Sequence, residues 1–207
     1  MSNIFDKYYK KYDAWYDKNR FAYLSEVEAM RKNLPKTGKG LEIGVGTGRF
    51  AASLGIKYGI DPAKNMLKIA SKRGVDVQPG SGEKLPFNNG SFDYVALIIT
   101  LSFVKDPEKV LKEANRVLRK TGKIIAGIID KNSFLGRYYK KKKGPFYKNA
   151  NLLKVEEVKD LLTKAGFVRI SCNQTIFRLP GEMKSVHKTS KGFGRGGFVV
   201  VSAIKKR

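Results

Sequence analysis

The sequence predicts an α/β protein: an open, mostly parallel sheet with helices on both faces. Three observations carry that prediction. Between Leu41 and Ala165 short β-rich runs alternate with helical patterns, the mark of repeated βαβ units. The runs "ALII" (96–99) and "IIAGII" (124–129) are apolar without alternation, as strands covered on both faces must be. Two β runs late in the chain, 168–177 and 196–206, have no helix between them, so the sheet closes on an antiparallel strand.

The parallel strands are expected at 39–43, 57–60, 75–78, 92–99 and 123–129. In "DPAKNMLKIASKRG" Asp61 reads as an N-cap and Pro62 as the first helical residue. Met66, Leu67 and Ala70 follow at helical spacing until Gly74. Residues 106–122 repeat the device, with Asp106 as cap, Pro107 as start and Gly122 as stop. A third helix, 154–167, carries its apolar stripe at Val155, Val158, Leu161, Leu162 and Ala165, then meets Gly166. Three segments lie outside this alternation: 1–38, 131–153 and 178–196. The last two should emerge at the carboxyl edge of the sheet, where open α/β sheets bind ligands, and read as lids.

Composition narrows the function. The chain of 207 residues has 42 Lys and Arg against 18 acids, a formal charge of +24 that favours anionic partners such as nucleic acid, a lipid surface or an acidic metabolite. Residues 131–150 carry seven of these cations and no acid. The one cysteine, Cys172, and the one histidine, His187, exclude a disulfide framework, a Cys/His zinc site and a Cys-His nucleophile pair. No metal is expected, and the reducing cytoplasm is the expected compartment. The first residues lack the apolar core of a signal peptide, and "YVALIITLSFV" is too short to span a bilayer, so a soluble protein is expected.

"LEIGVGTGRF" (41–50) sets Gly44, Gly46 and Gly48 behind the first strand, a bare backbone that a ligand can approach. A dinucleotide fingerprint would place its third glycine where Arg49 stands, and a Walker loop would need Gly-Lys-Ser or Gly-Lys-Thr. Asp61, at the end of the second strand, is placed to accept both ribose hydroxyls of an adenosine.

These residues, followed by "YGIDPAKNML", "GSGEKLPFNNGSFDYV", "DPEKVLKEANRVLRKTGKII" and "VEEVKDLLTKAGF", resemble the class I S-adenosylmethionine-dependent methyltransferases. The similarity lies with the branch that includes the ubiquinone and menaquinone biosynthesis enzymes and runs from about Gly40 to Phe167. It implies a seven-stranded, Rossmann-like sheet with a reversed last strand. It also implies S-adenosyl-L-methionine as cofactor and S-adenosyl-L-homocysteine as product. By that resemblance the turn from Gly44 through Gly46 to Gly48 holds the methionine part and Glu42 supports its amino end. Asp61 takes the ribose diol, Pro62 and Met66 flank the adenine, and Gly82 and Glu83 approach its edge. Thr100 sits below the sulfonium. Many members have an acid where this chain has Ser81, which still hydrogen-bonds, more weakly. The organisation expected is one domain over 1–207: a helical lid (1–38), a cofactor-binding half (39–130), a basic insert (131–153) and a C-terminal helix with the final two strands (154–207).

Tyr12 and Tyr16 in the leading helix, Phe103 after the fourth strand and Tyr138 in the basic insert are the substrate-contact candidates. Methyl transfer needs above all two aligned reactants, so no catalytic residue is assigned; His187, Asp130 and the leading tyrosines are the groups available to move a proton. "TLSFVKDP" follows the fourth strand in place of Asn-Pro-Pro-Tyr, which weighs against methylation of exocyclic base amines. The leading expectation is methyl transfer to a small anionic or aromatic metabolite. The alternatives are an RNA or tRNA methyltransferase gripping phosphates with "GRYYKKKKGPFYKN", and a cofactor-binding interaction protein without turnover.

Overall fold

The computed structural model describes residues 2–142 and 144–207, with the side chains of residues 2, 3 and 149 left aside. Lys143, in the basic insert, falls outside the described residues. The strands are β1 (Gly40–Ile43), β2 (Tyr58–Asp61), β3 (Asp76–Pro79), β4 (Phe92–Ile98), β5 (Leu118–Ile129), β6 (Phe167–Thr175), β7 (Ser190–Lys191) and β8 (Phe198–Lys205). They form one sheet in the order β3-β2-β1-β4-β5-β8-β6-β7. The first five are parallel, and β8 runs antiparallel to both β5 and β6. This is the expected reversed-strand sheet with eight strands rather than seven, the extra one being the two-residue edge strand β7 on β6. So short a strand carries no periodicity a sequence could show.

The helices are α1 (Ser2–Lys7), α2 (Tyr9–Lys18), α3 (Arg20–Asn33), α4 (Arg49–Leu54), α5 (Lys64–Lys72), α6 (Pro107–Val117), α7 (Phe134–Lys142) and α8 (Val155–Lys164). Alternation along the strands splits the core into two layers. Tyr94, Ala96, Ile98, Ile125, Phe198 and Val200 pack on the face of α3 and α4, with Ala22, Met30 and Phe50. Val95, Leu97, Ile124, Ala126, Val199 and Val201 pack on the face of α6 and α8, with Val110, Leu111, Val158 and Leu162. Each such aliphatic side chain, once buried, contributes about 1.5–3 kcal/mol.

Two helix boundaries depart from expectation. Asp61 is the last residue of β2 and not an N-cap of α5, and Pro62 precedes the helix, which starts at Lys64. The carboxylate of Asp61 turns instead to the backbone N–H of Gly46 and of Ala63, while Asp6 of α1 accepts from the N–H of Asn65 in the first turn of α5. The helix begun by Asp106, whose carboxylate accepts from Lys109 N, ends at Val117, not Gly122. Leu118 is already extended, and the Lys205 ammonium donates to the carbonyls of Asn115 and Leu118 at 2.7 Å each, closing the helix end with a cation.

Segments 1–38 and 131–153 meet over the carboxyl ends of β1 and β4, where Phe5 stacks on Phe146 at 5.3 Å and Phe146 also meets Tyr12. Segment 178–196 does not join them as a lid. It packs against α3, where the His187 backbone N–H donates to Ser25 Oγ, and it lines none of the cavities described below.

Candidate functional site

The turn after β1 has all three glycines at positive φ: +74° at Gly44, +52° at Gly46 and +75° at Gly48. They do different work. A Cβ at Gly44 would lie 2.5 Å from the Thr100 side chain, so Gly44 permits β1 and the end of β4 to close up. A Cβ at Gly46 would project between Met66 Sδ (3.5 Å) and Tyr12 (3.8 Å), into open space a ligand can fill. Gly48 does not face that space: its missing Cβ makes room for Ala70 of α5 at 2.8 Å.

Three adjoining cavities run along this edge. The middle one is walled by Gly44, Gly46, Asp61, Pro62, Met66, Thr100 and Phe103, with Tyr12 across from them. One neighbour, an open trench, takes Ser81, Gly82 and Glu83 together with Gly44, Pro62 and Thr100. There the Ser81 hydroxyl donates to the Glu83 carboxylate, and Glu83 Oε1 accepts from Lys105 N at 3.0 Å. The other neighbour, of about 240 Å³, shares Tyr12, Ile99 and Phe103 with the middle cavity. Its remaining walls are mostly aromatic, with Trp15, Tyr16, Tyr139, Phe146 and Tyr147, and Glu26, Lys11 and Lys142 bring charged groups to it.

Ile99, between the two cavities, holds φ +60°, a strained conformation for a β-branched residue. Its N–H donates to the Gly127 carbonyl at 2.7 Å, so the sheet itself holds the wall in this form.

Electrostatics along the edge suit a ligand that carries no phosphate at its centre. Among the described residues no Lys or Arg walls the middle cavity; Asp61 does, 8% exposed, and burial raises its pKa against the two backbone N–H groups that lower it. Glu42 stands behind the turn rather than in a cavity wall. It is 2% exposed, its Oε2 lacks a hydrogen-bond partner among the described residues, and burial with Asp61 nearby carries its pKa well up. Arg49, at the position where a dinucleotide fold would need glycine, binds Asp13 and Asp17 of α2 at 2.9 and 2.6 Å. Arg73 and the Thr47 hydroxyl also reach Asp13. Burial alone would raise Asp13; these donors hold it well below the usual carboxylate range. The helix over the site is thereby tied to the glycine turn.

Of the substrate-contact residues read from the sequence, Tyr12, Tyr16 and Phe103 meet in the aromatic cavity, with the Tyr16 hydroxyl donating to that of Tyr12 at 2.7 Å. Tyr138 does not join them. It lies one position off the inward face of α7, where its hydroxyl meets Lys142, while Tyr139 enters the cavity and stacks on Tyr147 at 4.2 Å. His187 is spent on structure, its Nδ1 accepting from Phe177 N, and Asp130 accepts from Asn132 N near the start of α7. Trp15, Glu26, Tyr139, Phe146 and Tyr147 line the cavity without having been among the candidates read from the sequence.

Residues 41–126 match a methyltransferase-domain family. The structure superposes on that of an S-adenosylmethionine-dependent methyltransferase from Thermotoga maritima, named a possible histamine N-methyltransferase, with TM-score 0.97 and 48% identity over 100% of both chains. This chain belongs to the S-adenosylmethionine-dependent methyltransferases. An uncharacterized protein of Methanocaldococcus jannaschii is 49% identical over 98% of this methyltransferase and 99% of its own length. Demethylmenaquinone methyltransferase of Geobacillus sp. is 31% identical over 60% of this chain and 61% of its own length. No helix among the described residues is long and apolar enough to cross a membrane, and no cluster of three metal-ligating side chains occurs among them.

Proposed function

We propose that this enzyme methylates a small aromatic metabolite bound in the cavity walled by Trp15, Tyr16, Tyr139 and Tyr147. The observation that carries the reading is the shared wall: Tyr12, Ile99 and Phe103 belong both to this cavity and to the one over the glycine turn. S-adenosylmethionine supplies a methyl group activated by a sulfonium. The Gly44 to Gly46 backbone would receive its methionine part, with Glu42 behind it, and Asp61 its ribose. Pro62, Met66, Gly82 and Glu83 would line the adenine, with Ser81 at its edge and Thr100 beneath the sulfur. The chain's own contribution is then alignment in a place with little water, which can supply about 7–11 kcal/mol of the barrier. Aromatic walls favour an aromatic acceptor. The histamine in the Thermotoga relative's name is itself a small aromatic compound, in agreement.

The alternative of RNA loses its stacking platform. In the basic run Lys140, Lys141 and Lys142 are exposed, but Tyr139, Phe146 and Tyr147 turn inward to the cavity. The test supplies radiolabelled S-adenosylmethionine with a small-molecule extract, with histamine, and with total RNA. Label in small molecules is expected. Label in RNA alone, with RNA binding that weakens steeply as salt rises, would replace this reading.

A further inference from the structure

Glu26 sits in the middle of α3, on the face that also carries Ala22, Ala29 and Met30, and is 2% exposed. Its carboxyl lines the aromatic cavity, and its Oε2 has no hydrogen-bond partner among the described residues. A carboxyl without a partner in an apolar wall is costly and is kept only where something compensates it. From the elements packed around it, Tyr12 and Tyr16 of α2, Tyr139 of α7 and Tyr147 face the same space, and Lys11 and Lys142, both solvent-exposed, line it as well. Burial lifts the Glu26 carboxyl to about 8.

We infer that the methyl acceptor is an amine, and that Glu26 receives its ammonium group among the rings. The inference deepens, and rests on, the methyl-transfer reading above. Aromatic faces and a carboxylate both attract a cation, and the same carboxylate repels an acceptor bearing a carboxylate or phosphate. An ammonium has no lone pair to give, and it would face a sulfonium of like charge. Glu26 answers both needs by taking one N–H proton, leaving the neutral amine and a neutral carboxyl. The nitrogen lone pair then forms the N–C bond as the C–S bond breaks with its electron pair on sulfur, and the positive charge passes from sulfur to nitrogen. Glu26 is left protonated, its resting form below about pH 8, and loses that proton to solvent when the next ammonium binds beside it.

The test titrates the protein, first with S-adenosylhomocysteine and then, once saturated, with benzylamine, phenethylamine or tryptamine, each against the matching alcohol and carboxylate. At least one amine is expected to bind roughly tenfold or more tightly than its alcohol, with the carboxylate weaker still. Glu26→Gln is expected to remove that preference while S-adenosylhomocysteine binds as before. If the wild-type protein binds S-adenosylhomocysteine but no amine is preferred, or if Glu26→Gln keeps the preference, the amine assignment is wrong and the methyltransferase reading stands. If S-adenosylhomocysteine itself does not bind, both fall.

Discussion

Replacing Glu26 by Gln should stabilise the ligand-free protein, and by an amount that grows with pH. Burial carries this carboxyl from an ordinary 4.5 to about 8 in the folded chain, with no donor opposing it. A folded-state pKa raised above the unfolded one means that the native protein holds the proton more tightly. The stability this confers is complete below about 4.5 and is lost as pH rises through about 8. At about 1.4 kcal/mol per pH unit, that window corresponds to at most about 5 kcal/mol, and relaxation around the charge brings the expectation to about 2–5 kcal/mol. Gln is nearly isosteric and does not titrate, and the other buried acids, Glu42, Asp61 and Asp130, are common to both proteins. Urea unfolding of the pair between pH 5 and 9 isolates the effect. The curves should nearly coincide at the acid end and diverge steadily toward pH 8, with Glu26→Gln the more stable. Parallel curves would mean that Glu26 is solvated or paired, and the reasoning about its cavity would fail.

Other substitutions probe the turn and the lid. Asp61→Asn removes the charge from the carboxylate that binds Gly46 N and Ala63 N, and calorimetry should show S-adenosylmethionine binding weakened about 10- to 100-fold; unchanged affinity would exclude the ribose assignment. Gly44→Ala combines an unfavourable positive φ with a Cβ 2.5 Å from Thr100, and should cost about 2–5 kcal/mol in urea unfolding. Adding Thr100→Ala should recover part of that loss, and no recovery would place the strain elsewhere. Asp13→Asn deprives Arg49 and Arg73 of a shared carboxylate, and should destabilise by about 1–3 kcal/mol and speed proteolysis within residues 1–38. An unchanged cleavage rate would deny that this cluster fastens α2.

The parallel strands were legible because burial on both faces writes a continuous apolar run, as in "ALII" and "IIAGII". The glycine turn was legible because backbone that must adopt positive φ leaves few residue choices. What failed was local reading of groups whose partners are distant. Asp61 reads as a cap until the Gly46 N–H is brought to it, with α5 drawing on Asp6 from another helix. Tyr138 and Tyr139 are indistinguishable until the cap at Ser133, whose Oγ accepts from Gly136 N, fixes the register of α7. Glu26 did leave a trace: it interrupts an apolar stripe at Ala22, Ala29 and Met30, spaced four and three or four residues away on one helical face. An acid in such a stripe belongs inside the protein, and only the folded structure names the rings around it.

A crystal structure of the protein with S-adenosylhomocysteine tests the account at its centre. The ribose diol should rest on the Asp61 carboxylate, and the sulfur should lie above Thr100 with its free side toward Phe103 and the Glu26 cavity. A sulfur facing the trench of Ser81 and Glu83, or a ribose held away from Asp61, would contradict it.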